Sequence, residues 1–79
     1  MATEGFAARV AAELRAERAR TRITFAELAE SAGLSKTAVM HYLNARRAIP
    51  LPAFFELCSA LGVSPTVIFE RAEEGSQKH

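Results

Sequence analysis

The chain contains no aspartate and no tryptophan, a single cysteine, Cys58, and two histidines, one of which is the last residue. One cysteine cannot form an intramolecular disulfide, and the apolar pattern around Cys58 is that of a small buried hydrophobe. No cluster of histidine, cysteine and acidic residues has metal-ligand spacing, and no glycine-rich phosphate loop is present. The sequence therefore favours neither an enzyme nor a protein that needs a metal or another cofactor.

Length and hydropathy predict one small domain. The 79 residues, of which 49% are hydrophobic, suffice for a single core without disulfides or metals. No apolar run approaches the roughly 20 residues that cross a membrane, and the N-terminal residues lack the apolar segment of a signal peptide. We therefore expect a cytoplasmic protein that does not associate with a membrane.

Apolar residues recur at helical spacing along most of the chain. Phe6, Val10 and Leu14 are spaced by one helical turn and predict a first helix over about residues 3–20. No strand-length alternation and no internal repeat is present. The further helices are expected over about residues 25–32, 36–44, 52–61 and 65–73.

Proline and glycine mark the ends of the last two predicted helices. Pro52 suits a first helical turn, because its missing amide proton would have no partner there. Gly62 is expected to end that helix, and Pro65 to begin the next. We assign residues 1–74 to one all-α domain of five helices, and the polar residues 75–79 to a flexible C-terminal tail.

Residues 24–44 predict two short helices joined by a tight turn. Thr24 and Ser35 each precede a helix, where a hydroxyl can accept a hydrogen bond from a first-turn amide. Gly33 lies at the turn, where glycine tolerates a positive φ. The apolar residues expected to face the core here are Leu28, Ala29, Val39, Tyr42 and Leu43. Two helices arranged in this way form a helix-turn-helix, which presents its second helix to the major groove of DNA.

The net charge is only +1, but the cations are unevenly distributed. Residues 21–47 carry four cations against two glutamates, whereas residues 48–79 carry two cations against four glutamates. Local potential decides the attraction of phosphates, so this distribution is compatible with nucleic-acid binding by residues 21–47. It is equally compatible with an ordinary protein surface, and the charges alone leave both interpretations open.

Three segments resemble the helix-turn-helix domains of the Cro and phage-repressor type, the XRE family. They are residues 25–35, 37–44 and 58–69, and the resemblance covers about residues 10–70. It implies a compact five-helix, lambda-repressor-like DNA-binding domain. It also implies a sequence-specific transcriptional repressor of phage or prophage type, which inserts its third helix into the major groove of double-stranded DNA and needs no cofactor.

The resemblance assigns base contacts to the third helix. Lys36, Thr37 and His41 match positions that read base edges, and Met40 lies beside them. Lysine can bond guanine O6 and N7, while threonine and methionine can pack on a thymine methyl. The alternatives are that Lys36 contacts only a phosphate and that the other side chains are merely solvated.

Phosphate contacts are expected on both sides of the third helix. Ser35, Asn44 and Arg46 match positions near the DNA backbone in the family, and Arg47 adds a second guanidinium suited to phosphate oxygens. A solvated loop is the alternative for the two arginines.

Three residues depart from the family pattern. Phe25 stands where a glutamine usually braces a phosphate, so that contact is lost or is made by backbone amides at the helix N-terminus. Ala45 replaces a usual glycine, and so the loop after the third helix is expected to follow another path. Leu43 replaces a commonly polar residue and needs cover from the core.

One helix-turn-helix reads only a few base pairs, so useful affinity requires two copies on a palindromic operator. We expect a weak homodimer that DNA completes, with Val67 and Phe69 on the fifth helix as contacts and Ile68 facing inward. The competing hypothesis is a protein-interaction module of antitoxin or anti-repressor type built on the same fold.

Overall fold

The computed structural model describes the backbone of residues 2–77 and the side chains of residues 5–75. It contains five helices, and no strand occurs in this part of the chain. The helices are α1 (Ala2–Thr21), α2 (Phe25–Ala32), α3 (Lys36–Leu43), α4 (Leu51–Leu61) and α5 (Pro65–Gln77). The predicted all-α, five-helix class is therefore confirmed.

The caps of α2 and α3 are those that the sequence predicts. Thr24 Oγ1 accepts a hydrogen bond from Glu27 N at 3.0 Å, and Thr24 N donates to Glu27 Oε1 at 2.9 Å, which completes a capping box. Ser35 Oγ accepts from Ala38 N at 3.0 Å. Between the helices, Gly33 has φ +72° and its amide closes the end of α2. These local contacts fix where α3 begins.

Five predicted helix ends differ from the structure, and two of them are the ends of α1, which is one residue longer at each end than predicted. α3 ends at Leu43 with Asn44 as its cap, and α4 begins at Leu51 rather than Pro52. The prediction that the fifth helix ends near residue 73 is wrong, because α5 continues to Gln77.

Contacts with α1 account for the added length of α5. Arg9 Nε donates a hydrogen bond to the carbonyl oxygen of Ala72 at 3.1 Å. Gly75 lies so close to Arg9 that an added Cβ would come within 3.1 Å of its Cδ. Residues 75–77 of the predicted tail are thus helical, and residues 78–79 lie outside the described residues. The flexibility of this tail stays a prediction.

The core is formed by apolar side chains from all five helices. Leu43 is fully buried, so the core provides the cover that this residue needs, and Ile68 faces inward as predicted. Cys58 is also fully buried, and burial raises the pKa of its thiol to about 11. The largest fully buried side chains are Leu14, Leu28, Val39, Leu43, Leu57, Cys58 and Ile68.

A buried carboxylate joins α1 to α5. Glu17 Oε1 accepts hydrogen bonds from Arg20 on its own helix and, at 3.1 Å, from Arg71 of α5. The hydrogen bond from Arg20, aided by that from Arg71, lowers the pKa of Glu17 although burial alone would raise it. This ion pair helps to hold α5 against α1, and α1 in turn packs against α3.

No single helix within residues 2–77 is long and apolar enough to cross a membrane. α4 and the segment Pro65–Gly75 meet the length and composition requirement only together, as a pair bent by 103°.

Candidate nucleic-acid interface

α3 has one buried face and one exposed face. Val39 and Leu43 are fully buried in the core, and Tyr42 is nearly so. Lys36 and Thr37, in the first turn of the helix, are exposed. Met40, one turn further, has 38% of its surface exposed. Because residues three and four apart share a helix face, these three side chains form one continuous surface.

His41 is half-buried rather than fully exposed on this surface. Its Nδ1 atom is buried and has no hydrogen-bond partner among the described residues. Nε2 is therefore the ring nitrogen that can reach a ligand without rotation of the ring. His41 consequently extends the surface formed by Lys36, Thr37 and Met40, but only with one edge of its imidazole.

The two polar residues that flank α3 keep polar groups available. Ser35 uses a lone pair to cap the helix, and its hydroxyl proton can still be donated to an acceptor such as a phosphate oxygen. Asn44 is exposed, and its backbone amide donates to the carbonyl oxygen of Met40 at 3.1 Å. Both ends of α3 thus carry a hydrogen-bonding side chain that the fold leaves at the surface.

Ala45, which stands where the family pattern has a glycine, adopts a left-handed backbone conformation. Its φ is +59°, in the left-handed region, and Arg46 N donates to the carbonyl oxygen of His41 at 2.8 Å. The expectation that this loop follows another path than in the family stays a prediction. Alanine disfavours the left-handed region by about 1 kcal/mol. The left-handed turn forms nevertheless, since this hydrogen bond and the burial of Leu43 constrain the chain on its N-terminal side.

The turn at Ala45 places Arg46 and Arg47 at the surface directly after α3. Both are exposed, and neither forms a salt bridge with an acidic residue of the described chain. The guanidinium carbon of Arg47 lies 5.6 Å from the centre of the Tyr42 ring. A cation–π contact of this kind orients the guanidinium while its N–H groups stay free to donate.

Phe25 offers no polar atom to a phosphate, but the side chain of Arg18 lies against its ring. The ring is half-buried, and the guanidinium carbon of Arg18 lies 4.5 Å from its centre. Arg18 Nη1 also donates to the carbonyl oxygen of Ile23 at 2.8 Å. Arg18 thus brings a cation from α1 to the start of α2. Sequence reasoning missed it, because an arginine on the polar side of a long helix gives no local signal of this contact.

The residues predicted for dimerisation have different surroundings. Val67 is half-buried. Phe69 stacks on Phe54 with a ring-centre distance of 4.9 Å and retains 38% exposure. The sequence prediction omitted Leu51 and Phe55 on α4, which are 60% and 48% exposed. Helical periodicity alone did not show them, because α4 is apolar on more than one face.

Comparison with known proteins gives one match. The family model described as a helix-turn-helix domain matches residues 9–68 of this chain. No curated protein and no solved structure matches it. The matched region contains all of α2, α3 and α4 together with every residue expected to contact DNA. A domain of this kind supports DNA binding and is typical of proteins without enzymatic activity. The chain therefore belongs to the helix-turn-helix domain family.

Proposed function

We propose that this chain is a sequence-specific transcriptional regulator, a repressor of the Cro and phage-repressor type that acts in the cytoplasm. It inserts α3 into the major groove of a double-stranded operator. The observation that carries the proposal is the division of α3 into two faces. Val39, Tyr42 and Leu43 anchor the helix in the core, while Lys36 and Thr37 lie exposed at its N-terminal end. The N-terminal residues of a recognition helix are those that meet base edges.

Each side chain on the exposed face of α3 has a base-edge partner of matching chemistry. Lys36 donates to guanine O6 and N7, and Thr37 bonds a base edge or packs its methyl group on thymine. Met40 supplies an apolar contact to a thymine methyl, and His41 reaches a base or a phosphate through Nε2.

Phosphate contacts position α3 in the groove. Arg46 and Arg47 bind one strand after the helix, and Ser35 and Asn44 contact the backbone at its two ends. Phe25 stands where the family usually has a phosphate-bracing glutamine. Arg18, which lies over the Phe25 ring, supplies a cation for the phosphate in place of that glutamine. These contacts act on any DNA sequence, because phosphates carry no base identity.

Two copies of the chain bind one palindromic operator. A second protomer contributes a second α3, and the half-sites lie about 34 Å apart, one turn of B-DNA. Val67 and the exposed edge of Phe69 on α5 form the contact between protomers. The apolar area is too small for a stable free dimer, which buries about 1,200 Å² or more, so DNA completes the assembly.

Selection from a random duplex pool tests this proposal. The chain is incubated with random-sequence DNA, and the bound fraction is amplified and sequenced over several rounds. We expect an enriched motif with two inverted half-sites whose centres are one helical turn apart. Retention of DNA without any enriched motif would contradict sequence-specific regulation and would point to an architectural role.

A protein-interaction module of antitoxin or anti-repressor type is the second candidate function. It is favoured by the exposed apolar residues Leu51 and Phe55, which the described chain leaves largely uncovered. Phosphate contacts strengthen steeply at low salt, so a DNA-binding domain retains random duplex DNA at ~50 mM salt. Failure to bind any duplex under that condition would favour the interaction module.

A further inference from the structure

An open apolar groove lies beside the proposed DNA-binding surface. Its volume is about 600 Å³, and its walls come from the first half of α1, the loop after α3, and helices α4 and α5. Phe6, Phe54 and Phe69 form an aromatic wall, with ring centres 4.9 Å apart for Phe54 and Phe69 and 6.1 Å apart for Phe6 and Phe69. Small-molecule sites commonly have volumes of about 300–1,000 Å³. We call this feature the aromatic groove.

The charged residues that line the aromatic groove are two neighbours in the chain. Among the described side chains, residues 5–75, Arg46 and Arg47 are the charged ones that line it, and no glutamate does. Neither arginine has an acidic partner in the part of the chain that the structure describes. Arg47 is held over Tyr42, which itself lines the groove. The groove thus joins an uncompensated pair of guanidinium groups to an apolar, aromatic cavity.

We propose that the aromatic groove binds a small amphipathic carboxylate, and that the bound molecule releases the protein from DNA. The carboxylate accepts hydrogen bonds from Arg46 and Arg47, and its apolar body packs against Phe6, Phe54 and Phe69. The positive charge of the two guanidinium groups requires a negatively charged ligand group, and a carboxylate matches them. The walls disfavour a sugar, whose hydroxyl groups need polar partners, since the other lining side chains are apolar apart from the hydroxyl of Tyr42.

The release from DNA rests on the proposed function. Arg46 and Arg47 are the same residues that contact phosphates there, and one guanidinium cannot hold a ligand carboxylate and a DNA phosphate with the same N–H groups. Phe69 also lies in both the groove and the proposed protomer contact. A ligand in the groove therefore competes with two interactions of the operator complex.

The binding claim is tested on the free protein, without DNA. The probe is 1-naphthylacetate, and its matched control is 1-naphthylacetamide, which has the same ring system and no charge. Isothermal titration measures affinity, and backbone amide NMR shifts locate the site. We expect saturable binding of the acid with the largest shifts at residues 6–11 and 45–51, and affinity for the amide lower by about tenfold or more.

Two tryptophan variants distinguish binding in the groove from non-specific binding elsewhere on the surface. Ala8 lines the groove and is exposed on α1, so Ala8→Trp fills the cavity. Ala16 is exposed on the same helix and does not line it, so Ala16→Trp is the control. We expect Ala8→Trp to lose at least about tenfold in affinity for 1-naphthylacetate, and Ala16→Trp to bind like wild type. Thermal melting of both variants verifies that they fold.

Several results would overturn the assignment of a carboxylate site. They are equal binding of the acid and the amide, unchanged binding by folded Ala8→Trp, and absence of saturation up to about 5 mM. A second copy of this chain is the alternative occupant of the groove, and sedimentation tests it. A wild-type dimer that Ala8→Trp converts to a monomer would show that a second copy covers the groove.

The regulatory claim is tested with DNA. We expect 1-naphthylacetate to lower the affinity of wild type for a duplex at ~50 mM salt, and to leave the affinity of Ala8→Trp unchanged. Equal DNA affinity with and without saturating probe would overturn the release from DNA. If wild type binds no duplex at all, the proposed function fails, while the titration of the free protein still decides whether the groove binds a carboxylate.

Discussion

The guanidinium of Arg47 lies over the ring of Tyr42, with its central carbon 5.6 Å from the ring centre. Tyr42 is a buried residue of α3, whereas Arg47 is exposed in the loop after it. The contact therefore joins a surface cation to a core residue that anchors α3. It sets the position of the cation relative to the face of α3 that carries Lys36 and Thr37.

Arg46 and Arg47 should act through charge rather than through base identity. Changing either residue to glutamine is expected to lower affinity for all DNA sequences alike and to reduce the slope of log K against log salt by about one unit. The measurement is a salt titration on one selected and one random duplex. Arg46→Lys and Arg47→Lys, which keep the charge, should retain the wild-type slope. Unchanged slopes in both glutamine variants would exclude phosphate contacts by this pair.

Ala45 should be a site where glycine stabilises the fold. Its φ of +59° disfavours a side chain, so Ala45→Gly is expected to raise the free energy of unfolding by about 0.5–1 kcal/mol. Ala48 lies in the same exposed loop without a positive φ, so Ala48→Gly is expected to lower it by a similar amount. Urea unfolding of the two variants measures the difference. Destabilisation by both would show that the left-handed turn carries no strain.

Glu17 should make stability depend on pH below its usual pKa, which is near 4.5. Because the folded-state pKa is lowered, its stabilising effect is complete above the unfolded-state pKa and is lost as pH falls through the folded-state pKa. Glu17→Gln is expected to cost about 1 kcal/mol near neutral pH, and this difference from wild type should shrink below pH 4.5.

Urea unfolding at a series of pH values tests the role of Glu17. Glu13→Gln is the matched control, since Glu13 lies on the same helix and has no arginine partner among the described residues. A difference between wild type and Glu17→Gln that stays constant from neutral to strongly acidic pH would contradict the account of this carboxylate.

Free protein should be monomeric at micromolar concentration and should bind a palindrome cooperatively. Val67→Glu is expected to abolish the cooperativity while sparing half-site binding, because a buried carboxylate without a partner disfavours the protomer contact. Thr66→Glu, an exposed neighbour on α5, is the charge-matched control. Sedimentation and titrations on full and half sites provide the measurements. A tight free dimer, or unchanged cooperativity in Val67→Glu, would refute the assignment to α5.

The parts of the fold that the sequence predicts depend on neighbours in the chain. Thr24, Ser35 and Gly33 act within one turn of their own positions, so their types suffice to place α2 and α3. Ile68 faces inward because helical periodicity fixes which side of a short helix is apolar.

The features that the sequence does not predict depend on contacts between distant segments. Arg18 reaches Phe25 across the end of α1, and Arg9 holds the last turns of α5. The uncovered side of α4 at Leu51 and Phe55 is known only once the packing of the other helices is known. The aromatic groove likewise combines residues from several elements, and no local motif signals it.

The exposed face of α3 should determine which DNA sequence is bound. Lys36→Ala and Thr37→Ala are each expected to weaken specific binding by roughly 1–3 kcal/mol while nearly preserving non-specific binding. Ser59→Ala, at an exposed residue on α4, is the control and should behave like wild type.

The most direct measurement is the ratio of affinities for a selected operator and a random duplex, determined for wild type, Lys36→Ala and Thr37→Ala at one salt concentration. The proposed function predicts a high ratio for wild type and a ratio lower by about tenfold or more in each variant, with the affinity for random DNA nearly unchanged. If both variants keep the wild-type ratio and select the same DNA sequence as wild type, recognition of DNA by this face of α3 is contradicted.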